Sequence, residues 1–259
     1  MQKQFHILNG DALLNRFPVK IKGTRYIIRE CLLEGSLDGV SLKDFFENRA
    51  EFIEDFFDVE PGKYYSISVS EFEKILSIPE NSEINLWFED DLYCQVNFWF
   101  SAYLISQNNK NQKVYLVRPN SGNEYNFGKM SEIELFSAFQ NRIRLHSDDI
   151  DLIVKLWNYY SQDNRSGLKE TGKAFQKKFP FIPRAIEAHL ERFPHNGNPG
   201  RPAESLKQII KDLKTTDISL IFREFCNRET IYGYSDLQVK KMLNEILKNN
   251  NDGNTIDYR

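Results

Sequence analysis

The first half of the chain alternates short apolar runs with amphipathic segments, and this alternation is the feature that most constrains the fold. The short runs have the length and composition of strands, whereas the segments between them space their apolar residues as a helix does. Strands that alternate with helices predict a parallel sheet with helices packed on its faces, so we predict an α/β fold with a Rossmann-like sheet. The predicted strands are residues 5–8, 25–29, 83–88 and 113–117, and helices are predicted from Ala12, Ser41 and Leu92.

Strand signals become sparse after Ser131, where helical patterns take over. Ser131 and Glu134 have the spacing of a capping box. Helical spacing recurs in residues 146–160, 183–192, 203–213 and 235–247. The sequence therefore predicts an α/β domain over residues 1–128 and a mainly α-helical domain over residues 129–259, for which a helix-turn-helix or winged-helix arrangement is one alternative. Residues 64–70 fit either a strand or the approach to a helix that starts at Ser70.

Composition and charge argue against several classes of protein. Of the 259 residues, 41% are hydrophobic and 27% are charged, which is typical of a globular chain. The formal net charge of −3 provides no overall positive field for nucleic acid or an anionic membrane. The N-terminus lacks the apolar core of a signal peptide, and no apolar run is long enough to span a bilayer, so we expect a soluble, cytoplasmic protein.

Cysteine spacing and the common nucleotide motifs give negative information. Cys31, Cys94 and Cys226 lie far apart with no CxxC pair, which argues against a zinc ribbon or a disulfide scaffold and predicts buried thiols. The sequence contains neither GxGxxG nor GxxxxGK[ST]. A dinucleotide fingerprint and a P-loop are therefore not predicted.

Charged residues gather where the predicted strands end. Ligands of an open parallel sheet bind outside the carboxyl ends of its strands, at the point where strand order reverses. We therefore expect these side chains to converge on one crevice. Gly10 and Asp11 follow the first strand, Arg29 and Glu30 the second, Glu89, Asp90 and Asp91 the third, and Arg118 the fourth.

Three of these acids, Asp11, Glu89 and Asp91, are candidate ligands of a divalent cation such as Mg²⁺, or candidate acid and base groups. Arg29 and Arg118 would neutralise phosphate. These residues predict a metal-assisted enzyme or a ligand-binding protein for a phosphorylated or nucleotide-like small molecule. The sequence leaves open whether the protein is an enzyme and whether it forms oligomers.

Further residues of the predicted crevice have less specific signals. His6 would act as a general base, and Gly10, Glu30 and Gln95 would contact the ligand. Four residues of the predicted crevice also have an ordinary structural alternative. Asp11 and Asp91 would cap helices, Glu89 would face water, and His6 would be a hydrogen-bonded core histidine.

A modest basic cluster marks the second half of the chain. It contains Arg184, His189, Arg192, His195 and Arg201, next to a loop rich in glycine and proline. Contacts of Arg192 and Arg201 with DNA phosphates are the alternative function, that of a nucleic-acid-binding regulatory protein. A solvated basic surface is the competing interpretation, and the net acidity of the chain favours it.

Three motifs resemble the bacterial family catalogued as domain of unknown function 1835. They are the opening His6-Ile7-Leu8-Asn9-Gly10-Asp11, the segment Leu86-Trp87-Phe88-Glu89-Asp90-Asp91-Leu92-Tyr93-Cys94-Gln95, and His189-Leu190-Glu191-Arg192-Phe193-Pro194 with Asn196-Gly197, Arg201 and Glu204. The resemblance covers nearly the whole chain and implies a site at these motifs, but no reaction. Where the family has an acid pair and then Gly-Pro, this chain has Glu30-Cys31-Leu32 and Gly35-Ser36, so no metal ligand is predicted at Cys31.

Overall fold

The protein is built around a five-stranded sheet. The computed structural model describes residues 2–107 and 111–251. The strands are β1 (Gln4–Asn9), β2 (Thr24–Ile28), β3 (Glu83–Trp87), β4 (Lys113–Val117) and β5 (Ile143–Leu145). They lie in the order β2-β1-β3-β4-β5, with β1 to β4 parallel and β5 antiparallel to β4. The predicted α/β architecture and the four predicted strands are confirmed.

Helices connect the strands and account for most of the chain after β4. Ser41 and Ser131 begin two of them with capping boxes, as the sequence indicates at Ser131. A π-helical segment, Tyr65–Val69, leads into the third helix, and 3-10 turns occur at Phe127–Lys129 and Thr230–Tyr232. The helices are α1 (Asp11–Leu14), α2 (Leu42–Phe57), α3 (Ser70–Leu76), α4 (Leu92–Ser106), α5 (Glu132–Gln140), α6 (Ser147–Ser161), α7 (Arg165–Lys173), α8 (Phe181–Glu191), α9 (Arg201–Leu213), α10 (Ile218–Arg228) and α11 (Asp236–Asn251).

Successive strand residues point to opposite faces of the sheet and build two apolar clusters. Ile7 and Leu86 belong to the larger cluster, whereas their neighbours Leu8 and Trp87 belong to the smaller. Helix α4 lies in the larger cluster and packs against α6, while α1 and α5 contribute to the smaller one. The sheet is therefore covered by helices on both faces, which leaves the carboxyl ends of its strands as an edge where a ligand can approach.

The second half of the chain departs from the prediction in three places. β5 adds a strand to the sheet from beyond residue 128, and α7 and α10 are helices that the sequence analysis does not include. The larger apolar cluster runs from Phe5 to Ile246, so both predicted domains contribute to one core.

Residues 65–69, for which the sequence allows a strand or the approach to a helix, are helical. Within the described ranges, no helix combines the length and apolar character needed to cross a bilayer.

Candidate functional site

The strand order places a switch point between β1 and β3. β1 pairs with β2 on one side and with β3 on the other, so the chain leaves the ends of these central strands in diverging directions. The register sets Leu8 beside Trp87, which brings Asn9 and the segment after Phe88 to the same edge. The acidic segment that follows β3 therefore lies where an open α/β sheet binds ligands.

Two carboxylates and a thiol converge at this edge. Oxygen atoms of Glu89 and Asp91 and the Sγ of Cys94 all lie within 4.8 Å of one another. The Sγ of Cys94 donates to Glu89 Oε2 at 3.3 Å, and the backbone N–H of Cys94 donates to Asp91 Oδ1 at 2.9 Å. The second contact is the N-cap of α4, so Asp91 combines the structural role of a cap with a place in the cluster.

Neighbouring groups hold the three side chains in place. The backbone N–H of Phe127 donates to the second oxygen of Glu89, and the amide of Gln95 donates to the Glu89 carbonyl at 2.7 Å. Asn9 Nδ2 lies 2.9 Å from the Sγ of Cys94 and donates to it. The cluster is thus supported from β1, from α4 and from the turn at Phe127.

Burial changes the ionisation of the cluster. It raises the pKa of Glu89 to about 7, and the nearby Asp91 carboxylate adds to this rise. It raises the pKa of Asp91 to about 6. Burial also raises the pKa of the Cys94 thiol well above its ordinary value. Burial thus disfavours the charged forms, and no arginine or lysine within the described residues pairs with Glu89 or Asp91 to offset it.

The cluster opens into a cavity of about 340 Å³, called here the acidic cavity. The sheet edge and α4 supply Asn9, Glu89, Asp91, Tyr93 and Cys94 on one wall. Residues from α10 and the segment before α11 form the opposite wall, among them Phe225, Cys226, Glu229, Gly233 and Tyr234, and Tyr125 and Asn126 lie on the loop after β4. The helical end of the chain therefore closes the site that the sheet begins.

Gly233 allows the closest approach between the two walls. It has a φ of +64°, and a Cβ atom at this position would overlap Asp91 Oδ1 and lie 3.1 Å from the Cβ of Tyr93. A side chain here would displace the Asp91 carboxylate. The close contact thus depends on glycine both for its backbone conformation and for its lack of a side chain.

A second cavity of about 390 Å³ lies at the ends of β1 and β2 and shares Asn9 and Tyr93 with the acidic cavity. Gly10, Asp11 and Arg29 line it. Arg29 donates to both oxygens of Asp11, at 2.6 and 2.7 Å, and this hydrogen bonding lowers the pKa of Asp11. The structure therefore pairs Asp11 with Arg29 in the second cavity and does not bring it into the cluster of Glu89 and Asp91.

Glu30 is at the end of β2 but its carboxylate is fully buried. It accepts from Arg49 at 2.7 Å, from the hydroxyl of Tyr64 and from the backbone N–H of Cys31. Glu30 lines the second cavity, yet its carboxylate oxygens are committed to the protein. The predicted ligand contact at Glu30 thus coincides with a structural ion pair.

Arg118, predicted to meet phosphate, is engaged with Asp90. Its Nε donates to Asp90 Oδ1 at 2.8 Å, its Nη2 contacts the other oxygen, and its guanidinium lies 3.9 Å from the centre of the Phe181 ring. Burial raises the pKa of Asp90, although Arg118 opposes that rise. Neither residue lines either cavity among the described residues.

His6 lies in the middle of β1, away from the edge. Its Nε2 is 3.0 Å from the carbonyl of Lys22, and its Nδ1 accepts from the indole N–H of Trp87 at 3.1 Å. Burial lowers the pKa of His6 to about 4. The structure therefore places the predicted general base as a neutral core residue that lines neither cavity.

The two arginines of the nucleic-acid hypothesis are engaged within the fold. Arg192 donates to the Leu33 carbonyl at 2.8 Å and lies 3.5 Å from Glu34, with 15% of its side chain exposed. Arg201 bridges Glu191 and Glu229 at 2.8 and 2.9 Å. The charges of both guanidinium groups are thus partly compensated within the fold.

Cys94 and the whole wall from Phe225 onward are absent from the site residues predicted from the sequence. Cys94 follows Asp91 by three residues at a helix start, a spacing that places its N–H on the cap and its thiol beside the carboxylates. No local signal marks Cys226, Glu229 or Tyr234, because their approach to the sheet edge depends on long-range packing.

No protein-family model, curated protein or solved structure matches the chain.

Proposed function

We propose that the protein is a metal-assisted enzyme that acts on a small molecule in the acidic cavity, with Glu89, Asp91 and Cys94 as the protein ligands of a divalent cation. One observation carries the proposal: three ligand-type atoms lie within 4.8 Å of one another on the wall of a cavity at the switch point of the sheet. Their side chains come from one short segment, so a single strand end and helix start hold them together.

Electrostatics favours a cation at this point. Asp91 is buried and Glu89 is partly buried, and neither pairs with a basic side chain among the described residues. Both are therefore costly to ionise, and a bound cation would reduce that cost. The donor set of two carboxylates and one thiol suits a borderline metal such as Zn²⁺ better than Mg²⁺, which prefers oxygen ligands alone. The proposed set thus differs from the predicted one, with Cys94 in the place of Asp11.

A metal held here would polarise a bound oxygen or lower the pKa of a bound water. The residues around the three ligands would fix their orientation. Asn9 donates to the Cys94 sulfur, and the Phe127 N–H donates to Glu89, as second-layer partners of metal ligands commonly do.

Several finer statements belong to the same proposal. The order β2-β1-β3-β4 supports a Rossmann-like description of residues 1–128. Membership of the family of domain of unknown function 1835 is supported by the three motifs, two of which lie at the acidic cavity.

Two earlier expectations receive less support. Phosphate recognition was assigned to Arg29 and Arg118, and both are paired with aspartates. DNA binding was assigned to Arg192 and Arg201, and both are engaged with carboxylates or carbonyls. The acidic cavity is therefore the better basis for function.

The test is a calorimetric titration of chelator-treated protein with Zn²⁺, Mn²⁺ and Mg²⁺. We expect one Zn²⁺ site per chain. Glu89→Gln and Cys94→Ser should each lower the Zn²⁺ affinity by more than about 100-fold. This loss exceeds the usual effect of changing a residue that only orients a metal ligand. Asp11→Asn, at the second cavity, and Glu80→Gln, an exposed acid just before β3, are the controls and should bind Zn²⁺ as the unaltered protein does. Equal binding by Cys94→Ser, or loss of binding in Asp11→Asn, would refute the proposed ligand set.

A further inference from the structure

The walls of the acidic cavity restrict the charge of its ligand. Among the described residues, no lysine or arginine lines it, whereas Glu89, Asp91 and Glu229 do. A divalent ion held by two carboxylates and a thiolate would still leave net negative charge at that end. A phosphate placed beside it would be repelled, and more strongly where water is excluded.

Basic groups close to the cavity lie outside its wall. Arg192 has its guanidinium 5.7 Å from the ring centre of the wall residue Tyr234, and it donates to the Leu33 carbonyl. Arg201 reaches Glu229 at 2.9 Å and also binds Glu191, so its charge is shared by two carboxylates. Arg184 is exposed near Tyr125 and is not part of the cavity wall. A phosphate inside the cavity would therefore meet acids and no lysine or arginine on the described walls, and the bound metal would leave that end with net negative charge.

The same walls offer groups suited to an uncharged planar molecule. Tyr93 and Tyr125 present partly exposed rings, on which a flat heterocycle can stack. The Asn126 amide and the Thr230 hydroxyl are exposed at the cavity and make no hydrogen bond to any described residue. An amide can pair with the edge of a nucleobase through its donor and acceptor together.

The volume fits a molecule of this kind. At about 340 Å³ the cavity lies at the small end of the usual range for small-molecule sites, about 300–1,000 Å³. This size favours a single base or nucleoside over a larger dinucleotide.

We infer that the ligand of the acidic cavity is an uncharged heterocycle of the nucleobase or nucleoside class, and that nucleotides are excluded by charge. This inference rests on the proposed function, because the metal would engage an oxygen or ring nitrogen of the bound heterocycle. It narrows the expected ligand from nucleotide-like molecules to those that lack the phosphate.

The experiment uses the full-length protein after the Zn²⁺ titration, so that metal binding is known before any ligand is added. Adenosine, guanosine, cytidine and uridine are each titrated calorimetrically beside the corresponding 5′-monophosphate. We expect at least one nucleoside to bind, and its monophosphate to bind about tenfold or more weakly, which corresponds to about 1.4 kcal/mol. Raising the salt concentration should narrow this gap because it screens the repulsion.

Variants of two cavity residues test where the nucleoside binds. Asn126→Ala and Thr230→Val should each weaken the nucleoside about three- to tenfold, as expected for one lost hydrogen bond, and should leave Zn²⁺ affinity unchanged. Asn123→Ala, on the same loop but outside the cavity wall, is the matched control and should bind the nucleoside normally.

Three results would overturn the inference while leaving the metal site intact: no binding of any nucleoside to the Zn²⁺-loaded protein, tighter binding of a monophosphate than of its nucleoside, or nucleoside binding that Asn126→Ala and Thr230→Val leave unchanged. If a monophosphate binds more tightly and Arg184→Ala removes its advantage, phosphate is recognised at the mouth of the cavity. Absence of Zn²⁺ binding in the first titration is a separate failure, that of the proposed function.

Discussion

Two groups of acids lie at the same edge of the sheet, yet only one is neutralised by arginine. The paired group, Asp11 and Glu30, follows β1 and β2, and each carboxylate binds an arginine at 2.6 to 2.7 Å. The unpaired group, Glu89 and Asp91, follows β3 and lines the acidic cavity, and no arginine in the described part of the chain binds it. The difference separates acids that stabilise the fold from acids that remain available to a ligand.

Asp90 shows how local geometry makes this separation. It lies between the two unpaired acids in sequence, but it binds Arg118 while Glu89 and Asp91 line the cavity. Neighbouring residues in extended backbone point in opposite directions, so adjacent acids can meet different surroundings. Consecutive acids in a sequence therefore need not belong to the same site.

Removal of the arginine from the paired group should produce the largest effect. Arg49 is fully buried, contacts Glu30 at 2.7 Å and donates to the carbonyls of Cys31 and Glu34. Arg49→Met would leave a buried carboxylate without its cation. We expect the free energy of unfolding, measured by urea denaturation, to fall by about 3–5 kcal/mol.

Two further variants test the reason for that loss. Lys43→Met, on the same helix, breaks an exposed pair with Glu47 at 3.6 Å and should cost less than about 1 kcal/mol. Adding Glu30→Gln to Arg49→Met should recover part of the stability, since it removes the uncompensated charge. A loss in Arg49→Met no larger than that in Lys43→Met would mean that arginine pairing does not distinguish the two groups.

Removal of charge from the unpaired group should change the free energy of unfolding by a smaller amount. At high pH it should raise this free energy, whereas loss of Arg49 lowers it. The pKa of Glu89 rises from 4.5 to about 7 in the folded protein. The folded state therefore retains a proton that the unfolded state has lost, so this contribution to stability is complete below pH 4.5 and disappears as pH rises through 7. In metal-free protein, we expect the free energy of unfolding to decline across this range, with an upper limit on the order of 3 kcal/mol at about 1.4 kcal/mol per pKa unit.

Glu89→Gln removes the titrating group and should flatten this part of the pH profile. The variant should exceed the unaltered protein in stability at pH 8 and lose that advantage toward pH 4.5. Glu80→Gln, exposed before β3, should follow the unaltered profile. Identical profiles for Glu89→Gln and the unaltered protein would show that Glu89 is not an unpaired buried acid.

The sequence predicted the first half of the fold because its signals are local. Four strands are predicted from short apolar runs, and the helix that begins at Ser41 from the spacing of its apolar residues. β5 has only three residues, Ile143–Leu145, and it lies directly before a strong helix. No short window of sequence therefore distinguishes this strand from the helix that follows. α7 carries two glycines and only one large apolar residue, Leu168, and it packs against α6 and α8.

The location of the site could be predicted, but its charge pairing could not. Strand ends place acids at one edge because parallel strands share a direction. Whether an arginine meets an acid depends on contacts across 18 or 28 residues, as for Arg29 with Asp11 and Arg118 with Asp90. Cys94 looked like an ordinary buried thiol, and its role depends on the carboxylates that fold around it.

The closest contact of the unpaired group offers the finest test. Gly233 and Gly62 both have left-handed backbone, with φ of +64° and +79°, so the backbone strain of alanine should cost a similar 1–2 kcal/mol, roughly, in unfolding free energy at either position. A Cβ at Gly62 would meet no atom within 4 Å, whereas one at Gly233 would overlap the Asp91 carboxylate. Gly233→Ala should therefore weaken Zn²⁺ binding by about 10- to 100-fold in calorimetry, while Gly62→Ala should leave it unchanged. Equal Zn²⁺ affinities in the two variants would separate Asp91 from metal binding and leave its role as the cap of α4.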